Sequence, residues 1–448
     1  MIQMIADNIQ KISGWGNNHF FNVVLRQPRT AIEIKEYIKN IDSIARGNGR
    51  SYGDSSINLY NTIDIKKLNR ILDFNSKNGL VIVEAGIKLN EIIEVFLPRG
   101  WFPYVTPGTK FVTIGGMIAS DVHGKNHHKE GSFRKYVRWF DIMLSNGEIL
   151  RCSKTKNQDL FDWTFGGMGL TGIIINVAFK LKPISTKWII QKTIAADNFE
   201  QTMENFDKMM NSTYSVSWID CLAKGKNFGR SLLYVGEHAK KSDLPPHLKK
   251  EILSVSNKKK FKFIFNLPSI FINSYFIKIF NILKFHSEKN HKTKFIDYDK
   301  FFYPLDNLHD WNKIYGKKGF FQYQCVFPLN HSYDGIKAIL KILSDNQIGS
   351  FLAVLKKFGN QTGSFSFPMK GFTIALDFPM NKKNLHIMNL LDDVVLKYKG
   401  RIYLAKDSRI SSEKFHKSEK RIINFINFRK TKLKNLMFSS MQSKRLNI

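Results

Sequence analysis

Apolar runs of strand length and amphipathic runs of helix length alternate along the chain and predict most of its elements. Strands are predicted at residues 41–45, 57–60, 62–65, 80–86, 139–144, 149–152, 173–181, 215–220, 320–327, 372–378 and 400–407. Helices are predicted at residues 31–40, 89–97, 199–210, 334–343, 385–397 and 413–432, followed by a polar tail. The mixture indicates an α+β protein whose character changes after about residue 190, where a second sheet begins.

The first half carries a glycine-rich loop directly after a predicted strand. Gly47, Gly49 and Gly53 fall within seven residues, and glycine tolerates positive φ and lets a ligand approach the backbone closely. Such a turn directs several N–H groups into one concavity suited to phosphate oxygens, and Arg46 and Arg50 add charged donors at its rim. The spacing differs from the Rossmann G-x-G-x-x-G fingerprint, so an ordinary glycine-rich turn stays an open alternative.

Two further groups of small residues follow. The pair Gly115–Gly116 lies at a predicted helix start, which suits packing against a flat ligand or another backbone. A loop at 121–128, rich in donors and ionisable groups, comes next, and a second glycine cluster lies at 165–172. No third ligand at metal-site spacing accompanies the histidines 127–128, so no metal site is predicted.

Composition limits the class of protein. A chain of 448 residues is long enough for two or three domains. Lys and Arg number 69 against 37 Asp and Glu, which gives a formal net charge of +32. This excess suits an anionic membrane surface, a polyanionic ligand or a generally lysine-rich composition, whereas nucleic acid is the weakest alternative because no motif for it is present. Three widely spaced cysteines imply neither a disulfide framework nor a zinc site.

One apolar segment bears on membranes. Residues 1–18 lack the pattern of a signal peptide, and nowhere do about 18 apolar residues follow one another without a charge, so no spanning helix is predicted. The run 261–285 is rich in Phe and Ile but contains Lys262, Lys278 and Lys284. An interfacial segment and a helical loop that covers the core are both compatible with this pattern.

Several long motifs together resemble one protein family. The loop 47–54 resembles the pyrophosphate-binding loop of FAD-dependent oxidases with the vanillyl-alcohol-oxidase (PCMH-type) fold. One branch of that family, the decaprenylphosphoryl-β-D-ribose 2′-oxidases, is similar in five further motifs. These are TPGTKFVTIGGMIASDVHGKNHH (106–128), FGGMGLTGIII (165–175), FFQYQCVFP (320–328), FPMKGFTIALDFP (367–379) and YLAKDSR (403–409).

The resemblance runs in the same order from about residue 13 to the C-terminus and implies a domain division. A two-subdomain PCMH-type FAD-binding domain is expected at 1–190. A substrate (cap) domain with an antiparallel sheet flanked by helices is expected at 191–400, with a possible membrane-facing loop at 258–290. The segment 401–448 is expected to return to the FAD domain.

The same resemblance implies which residues bind FAD. They are Ala45, Arg46, Gly47, Asn48, Gly49, Arg50, Ser51, Tyr52, Gly53, Asp54, Ser55, Gly108, Thr113, Ile114, Gly115, Gly116, Ser120, Asp121, Val122, His123, Ile174 and Tyr403. Many relatives in the wider fold attach the flavin covalently through a histidine in the first loop. Arg50 stands at that position here, so non-covalent FAD is expected.

Seven residues are implied to surround the substrate at the flavin. They are Lys406, Tyr52, Gln322, Gln324, Lys356, Trp218 and His123. Lys406, in a predicted strand among apolar neighbours, is the best candidate to stabilise developing negative charge, and His123 and Tyr52 are candidates for a base or relay. Alternatively, Lys406 only pairs with a backbone or cofactor oxygen, His123 only shapes the pocket, and Trp218 is a core residue.

One position departs from the family. Its reactive cysteine falls at Ala375, so thiol-directed inhibition is not expected. Hydride transfer needs no thiol, so the expected activity is unaffected.

The implied activity is FAD-dependent oxidation of the 2′-hydroxyl of a polyprenylphosphoryl-β-D-ribofuranose, the first half of an epimerisation to the arabinose lipid for cell-envelope glycan. The implied partners are this lipid-linked pentofuranose, a separate NAD(P)H-dependent short-chain reductase and a membrane surface contacted peripherally. The expected location is the cytoplasm or the periphery of the inner membrane. An aldonolactone or free-sugar oxidase and a flavin-free binding protein with the same fold are the alternatives.

Overall fold

A computed structural model of the chain describes residues 9–256, 261–262, 274–289, 293–350, 352–433 and 437–448. Of the segment 258–290 that the sequence predicts to face a membrane, residues 258–260, 263–273 and 290 lie outside the described residues. The described elements form three main sheets with helices packed against them, and the predicted α+β class is confirmed.

Sheet A carries the glycine-rich loop. Its strands are β1 (Ile9–Ser13), β2 (Phe20–Arg26), β3 (Ile44–Arg46) and β4 (Thr62–Asp64), and helix α1 (Ala31–Ile38) joins β2 to β3. The order is β1-β2-β4-β3, in which only the β1–β2 pair is antiparallel. The Thr30 hydroxyl caps α1 by accepting the Glu33 amide, a capping residue that the sequence pattern favours.

Sheet B is antiparallel and lies beside sheet A. Its strands are β5 (Ile71–Asn75), β6 (Leu80–Glu84), β7 (Trp101–Pro103), β8 (Val137–Met143), β9 (Ile149–Ser153) and β10 (Ile173–Pro183). The order is β5-β6-β10-β8-β9, and β7 pairs with β10. Helices α2 (Leu89–Phe96), α3 (Ile114–Ala119), α4 (His127–Glu130) and α5 (Gln158–Thr164) connect these strands. One apolar core contains buried residues of helices α1, α2 and α3 and of sheets A and B.

Sheet C has eight strands and is antiparallel at every pair. Its strands are β11 (Trp188–Ala196), β12 (Tyr214–Ile219), β13 (Ser231–His238), β15 (Lys294–Asp297), β17 (Phe320–Pro328), β18 (Val354–Phe358), β19 (Gly371–Pro379) and β20 (Arg401–Ile402). The order is β15-β11-β13-β12-β18-β19-β17-β20, while β14 (Phe261–Lys262) and β16 (Leu308–His309) pair separately.

The helices of the second half are α6 (Phe199–Lys208), α7 (Ser274–Glu288), α8 (Tyr298–Phe302), α9 (Leu329–Asp345), α10 (Lys382–Lys397), α11 (Ser412–Ser418), α12 (Ile422–Thr431) and α13 (Met441–Leu446). Alternation along β17 decides which face they cover. Phe321, Tyr323 and Cys325 belong to the apolar core that contains the buried residues of α9 and α10. Gln322 and Gln324 therefore lie on the opposite face of sheet C.

Three element predictions are wrong. Residues 57–60 lie outside the strands, because the Asn58 side-chain oxygen accepts the amides of Tyr60 (2.9 Å) and Asn61 (3.3 Å) and forms a turn. The single helix predicted at 413–432 is two helices, α11 and α12. Arg421 folds back between them onto Glu419, with the Arg421 Nε 2.7 Å from a carboxylate oxygen.

The third correction concerns Lys406, which was predicted in a strand. The strand β20 ends at Ile402, and the chain then turns, with the Lys406 amide donating to the Tyr403 carbonyl at 2.9 Å. The Ala405 carbonyl accepts the Tyr52 amide at 3.0 Å. The turn therefore joins sheet C to the glycine-rich loop.

The predicted polar tail contains helix α13, which contacts both the glycine-rich loop and the Lys406 turn. The Arg445 guanidinium contacts Asp54 of the glycine-rich loop (3.0 Å) and Asp407 of the Lys406 turn (2.9 Å). The Gln442 side chain donates to the Leu404 carbonyl at 2.8 Å. Two loops distant in sequence are thus held together by one helix.

We expect Arg445→Ala to lower the free energy of unfolding by about 2 kcal/mol, since two carboxylates of low exposure lose a shared partner. Lys444→Ala is the matched control, because Lys444 and its partner Asp42 are both partly exposed and such a pair contributes under about 1 kcal/mol. Denaturant unfolding of both variants measures the difference. Equal losses would contradict the bridging role of Arg445.

Candidate functional site

The glycine-rich loop presents backbone donors that the protein itself does not use. Gly49 has φ +61°, a conformation that favours glycine, and a side chain at Gly47 would lie 2.1 Å from the Thr113 hydroxyl. Within the described residues, no hydrogen bond engages the backbone N–H groups of Asn48 to Ser51. Unused N–H groups in a tight turn are the donors that a diphosphate requires.

The two arginines of this loop have different environments. Arg46 donates to the Ser13 carbonyl at 2.7 Å, so its side chain holds the loop to β1. Arg50 lies 3.9 Å above the Trp15 ring, and its Nε is buried without a hydrogen-bond partner among the described residues. Only Arg50 is therefore placed as a donor that the rest of the protein leaves unused.

Packing within the protein, as well as the approach of a ligand, accounts for glycine at the start of α3. The Thr113 hydroxyl caps α3 by accepting the Gly116 amide at 3.3 Å. A side chain at Gly115 would lie 3.0 Å from the Ala85 side chain, so this glycine brings α3 against the end of β6. A side chain at Gly108 would meet nothing within 4 Å. Gly108 thus adjoins open space, whereas Gly115 does not.

Further polar atoms in this region have no protein partner. The Ser55 hydroxyl and the His123 Nδ1 are both buried and form no hydrogen bond within the described part of the chain. Together with the loop amides they form a donor set that fits FAD. Of the other predicted contacts, Tyr403 donates to the Ser120 carbonyl at 2.9 Å, Asp121 accepts the Ser132 hydroxyl at 3.0 Å, and Ile174 is buried in β10.

Four of the seven predicted substrate residues share one face of sheet C. Side chains of residues directly opposite in antiparallel strands point to the same face. Gln322 pairs with Asp377, Gln324 with Ala375, and Lys356 with Thr373. Trp218 pairs with Val354, two residues before Lys356 in β18. The register therefore brings together Gln322, Gln324, Lys356 and Trp218, which are far apart in the sequence.

Tyr52 connects this face to the glycine-rich loop. Gln322 Nε2 donates to the Tyr52 hydroxyl at 3.2 Å and to Asp377 Oδ1 at 2.6 Å. The Lys406 ammonium lies 4.0 Å from the centre of the Tyr52 ring. Burial raises the pKa of Tyr52 well above its usual range. Tyr52 is therefore protonated at neutral pH, and its role as a base or relay stays a prediction.

Asp377 was not predicted as a site residue. It is fully buried, and burial raises its pKa to about 7 against the opposing effects of the Gln322 hydrogen bond and the Lys406 charge. Burial lowers the pKa of Lys406 to about 7, while Asp377 opposes that shift. Two groups that exchange protons near pH 7 are what acid–base chemistry requires. An acidic residue within the otherwise apolar strand of the 367–379 motif was the feature of the sequence that could have indicated Asp377 as a site residue.

His123 is held between the two halves of the chain. Its Nε2 lies 3.1 Å from the Gln324 amide nitrogen, and its ring lies 4.8 Å from that of Phe358 and 5.2 Å from that of Tyr403. Burial, and then the charge of Lys356, hold the pKa of His123 well below its usual range. The imidazole is therefore neutral at physiological pH, and its lowered pKa makes it a weaker base than the Asp377 carboxylate, whose pKa is raised.

No thiol faces this site. Ala375 occupies the position opposite Gln324, while Cys325 pairs with Ile374 on the helix-covered face of sheet C. Burial raises the pKa of the Cys325 thiol well above its usual range. Within the described residues, no group of three or more His, Cys, Asp or Glu side chains is arranged to hold a metal ion.

Residues 24–153 match a family model described as an FAD binding domain. A decaprenylphosphoryl-β-D-ribose oxidase from Mycolicibacterium smegmatis is 36% identical over 415 residues, which cover 90% of this chain and 89% of that protein. The chain belongs to the decaprenylphosphoryl-β-D-ribose oxidase family, and its cofactor is FAD. The family resemblance carried by the sequence motifs is confirmed.

Two other relatives are less similar to this chain. An uncharacterised protein from Streptomyces coelicolor is 27% identical over 341 residues, which cover 73% of this chain and 90% of that protein. An L-gulonolactone oxidase from Bos taurus is 26% identical over 192 residues, which cover 42% of this chain and 43% of that protein. The lactone oxidase is therefore the more distant relative, in identity and in extent.

We expect the FAD to be released by acid precipitation, because the Arg50 guanidinium cannot form the covalent bond that a histidine makes. The yellow colour should appear entirely in the supernatant, where its flavin spectrum is measured. For the control, the FAD of a second sample is first released by mild heating and then replaced with added FAD. Acid precipitation of this sample should release the same amount of flavin. Colour that stays with the pellet would contradict non-covalent binding.

Proposed function

We propose that the protein oxidises the 2′-hydroxyl of a polyprenylphosphoryl-β-D-ribofuranose to the 2′-keto sugar, using FAD. The observation that carries this proposal is the 36% identity to a ribose oxidase over 90% of the chain. The electrostatic interaction of Lys406 with Asp377, close to Tyr52 of the glycine-rich loop, supports it. The reaction is the first half of an epimerisation to the arabinose lipid used for cell-envelope glycan.

Bound FAD supplies the hydride acceptor. The Asp377 carboxylate takes the proton of the 2′-hydroxyl, and Gln322 fixes the orientation of this carboxylate through the 2.6 Å hydrogen bond. The Lys406 ammonium stabilises negative charge that develops on the substrate oxygen. Gln324 and the neutral His123 orient the sugar by hydrogen bonds.

A second enzyme is needed to complete the epimerisation. The 2′-keto sugar must receive hydride on the face opposite to the one from which hydride left. One flavin site holds the sugar in one orientation, so it does not do both. The proposed partner is an NAD(P)H-dependent short-chain reductase that consumes the keto lipid.

Helix α7 provides the proposed membrane contact at the inner membrane. Ile277, Asn281 and Phe285 are buried, and Phe285 packs against Trp218. The opposite side of α7 exposes six large apolar side chains, which are Tyr275, Phe276, Ile279, Phe280, Ile282 and Leu283. An apolar helix face on a protein of net charge +32 suits an anionic lipid surface. Among the described residues, no helix is long and apolar enough to cross a membrane.

The acid–base pair predicts a bell-shaped pH dependence of kcat/KM. Activity should rise as Asp377 loses its proton and fall as Lys406 loses its proton, with both limbs near pH 7. Lys406→Arg should move the descending limb to higher pH, because a guanidinium stays charged. Asp377→Asn should remove the ascending limb and lower turnover by about 100- to 10,000-fold.

The role of Lys406 is also tested by a single reduction of the bound flavin, without multiple turnovers. Lys406→Ala should retain FAD yet lose about 100- to 1,000-fold in the rate of anaerobic flavin bleaching by polyprenylphosphoryl ribose. Lys370→Ala is the control, since Lys370 is exposed at the start of β19. Unchanged bleaching by Lys406→Ala would remove this lysine from the mechanism, and wild-type protein that is not bleached would refute the proposed substrate.

The membrane contact predicts that Ile279→Gln/Leu283→Gln abolishes flotation with phosphatidylglycerol vesicles, because both side chains are exposed on α7. The control is Ile32→Gln/Ile423→Gln, which replaces two exposed apolar residues elsewhere. Co-flotation on a density gradient measures binding. Equal flotation of the two double variants would contradict a contact through α7.

A further inference from the structure

Two lysines near the face of sheet C that carries Gln322 and Gln324 have no acidic partner among the described residues. Lys356 projects from β18 on the same face as Gln322 and Gln324, and no hydrogen bond or ion pair of its side chain occurs among the described residues. Its neighbour Lys357 points to the other face and pairs with Asp207. Asp207 of α6 therefore compensates the charge of Lys357, whereas no acid among the described residues compensates that of Lys356.

Lys125, which the sequence motifs did not single out, approaches the same place from the FAD-binding half. Its carbonyl accepts the Ser215 amide at 2.8 Å, which fixes the loop to β12. Its ammonium donates to the Phe301 carbonyl and lies 4.4 Å from the centre of the Phe301 ring. Among the described residues, no carboxylate lies within ion-pair distance of it.

Ring contacts bring the Lys125 loop against the end of β18. His123 and His127 flank Lys125 in sequence, and their rings lie 4.8 Å and 4.5 Å from the Phe358 ring. Phe358 and Lys356 share a face of β18. In agreement, burial and the charge of Lys356 lower the pKa of Lys125 to about 7, and burial lowers that of Lys356 to about 8. Both shifts report cations that lack a counter-charge.

Uncompensated cations in a half-buried site cost stability unless an anion binds there. Trp218, on the next strand, adds an indole N–H that is buried without a partner within the described residues. We infer that Lys125 and Lys356 bind the phosphodiester of the lipid-linked substrate. This assignment rests on the proposed function and deepens it.

The order of strands supports this choice of anion. Asp377 and Gln322 lie on β19 and β17, Lys356 lies one strand further along on β18, and Trp218 follows on β12, against which α7 packs. Neighbouring strands are about 4.8 Å apart, close to the separation of the sugar's carbon 2 from a phosphate on carbon 1. Sheet C thus presents sugar, phosphate and lipid contacts in the order in which the substrate carries them.

The test compares charged and uncharged lipids on the full-length holoenzyme. Titration calorimetry with farnesyl phosphate and with farnesol should show that Lys125→Gln and Lys356→Gln each weaken binding of the phosphate by about 10- to 100-fold. Binding of farnesol should not change. Lys357→Gln is the matched control, and Lys356→Arg should retain the preference because it keeps the charge.

The kinetic counterpart uses farnesylphosphoryl ribofuranose and the uncharged farnesyl ribofuranoside. The two Gln variants should raise KM for the charged substrate and leave KM for the uncharged riboside unchanged, with the flavin content of the wild type. Unchanged farnesyl phosphate binding, or equal losses for both ribosides, would overturn the assignment. If lysine-dependent phosphate binding persists without oxidation of either riboside, the subsite stands and the proposed reaction falls.

Discussion

The contacts of Tyr52 hold the two halves of the site in register. Its amide binds the Ala405 carbonyl, its hydroxyl accepts from Gln322, and its ring supports the Lys406 ammonium. Burial raises the pKa of Tyr52, so the side chain stays neutral within this junction. These three contacts link the glycine-rich loop, the Lys406 turn and sheet C.

This junction explains why the C-terminal helix lies where it does. Arg445 of α13 binds one carboxylate from each of the two loops that meet at Tyr52. Asp54 and Asp407 would repel each other without the guanidinium between them. The helix therefore compensates a like-charge contact created by bringing the glycine-rich loop against the Lys406 turn.

The charge of the site follows from the same arrangement. Burial lowers the pKa of Lys125, Lys356 and Lys406, and the charge of Lys356 lowers the pKa of the other two further. The Asp377 carboxylate opposes the lowering of the Lys406 pKa. Because the pKa of Asp377 is itself raised to about 7, this carboxyl is only partly ionised at neutral pH and compensates the lysine charge only in part. A site of this kind gains stability when an anionic substrate binds, since desolvation has already been incurred in folding. The net charge of +32 describes the whole chain and does not by itself locate this site.

Local pattern alone determined several features. The Thr113 cap with its glycine pair begins a helix as expected, and alternation along 320–327 and 372–378 predicts two strands of sheet C. These features depend on backbone propensity and short-range spacing, which a sequence shows directly. The quoted motifs similarly indicated the family and FAD.

Tertiary structure decided which residues meet. Register places Asp377 opposite Gln322 and leaves Lys356 without an acid, although nothing in either strand sets that pairing by itself. Arg46 binds β1 and Lys406 lies in a turn, because contacts from distant segments override the local pattern. The sequence by itself indicated many of the elements and the cofactor. The placement of Gln322, Lys356 and Asp377 on one face needed the fold, since charge compensation and burial depend on neighbours that are remote along the chain.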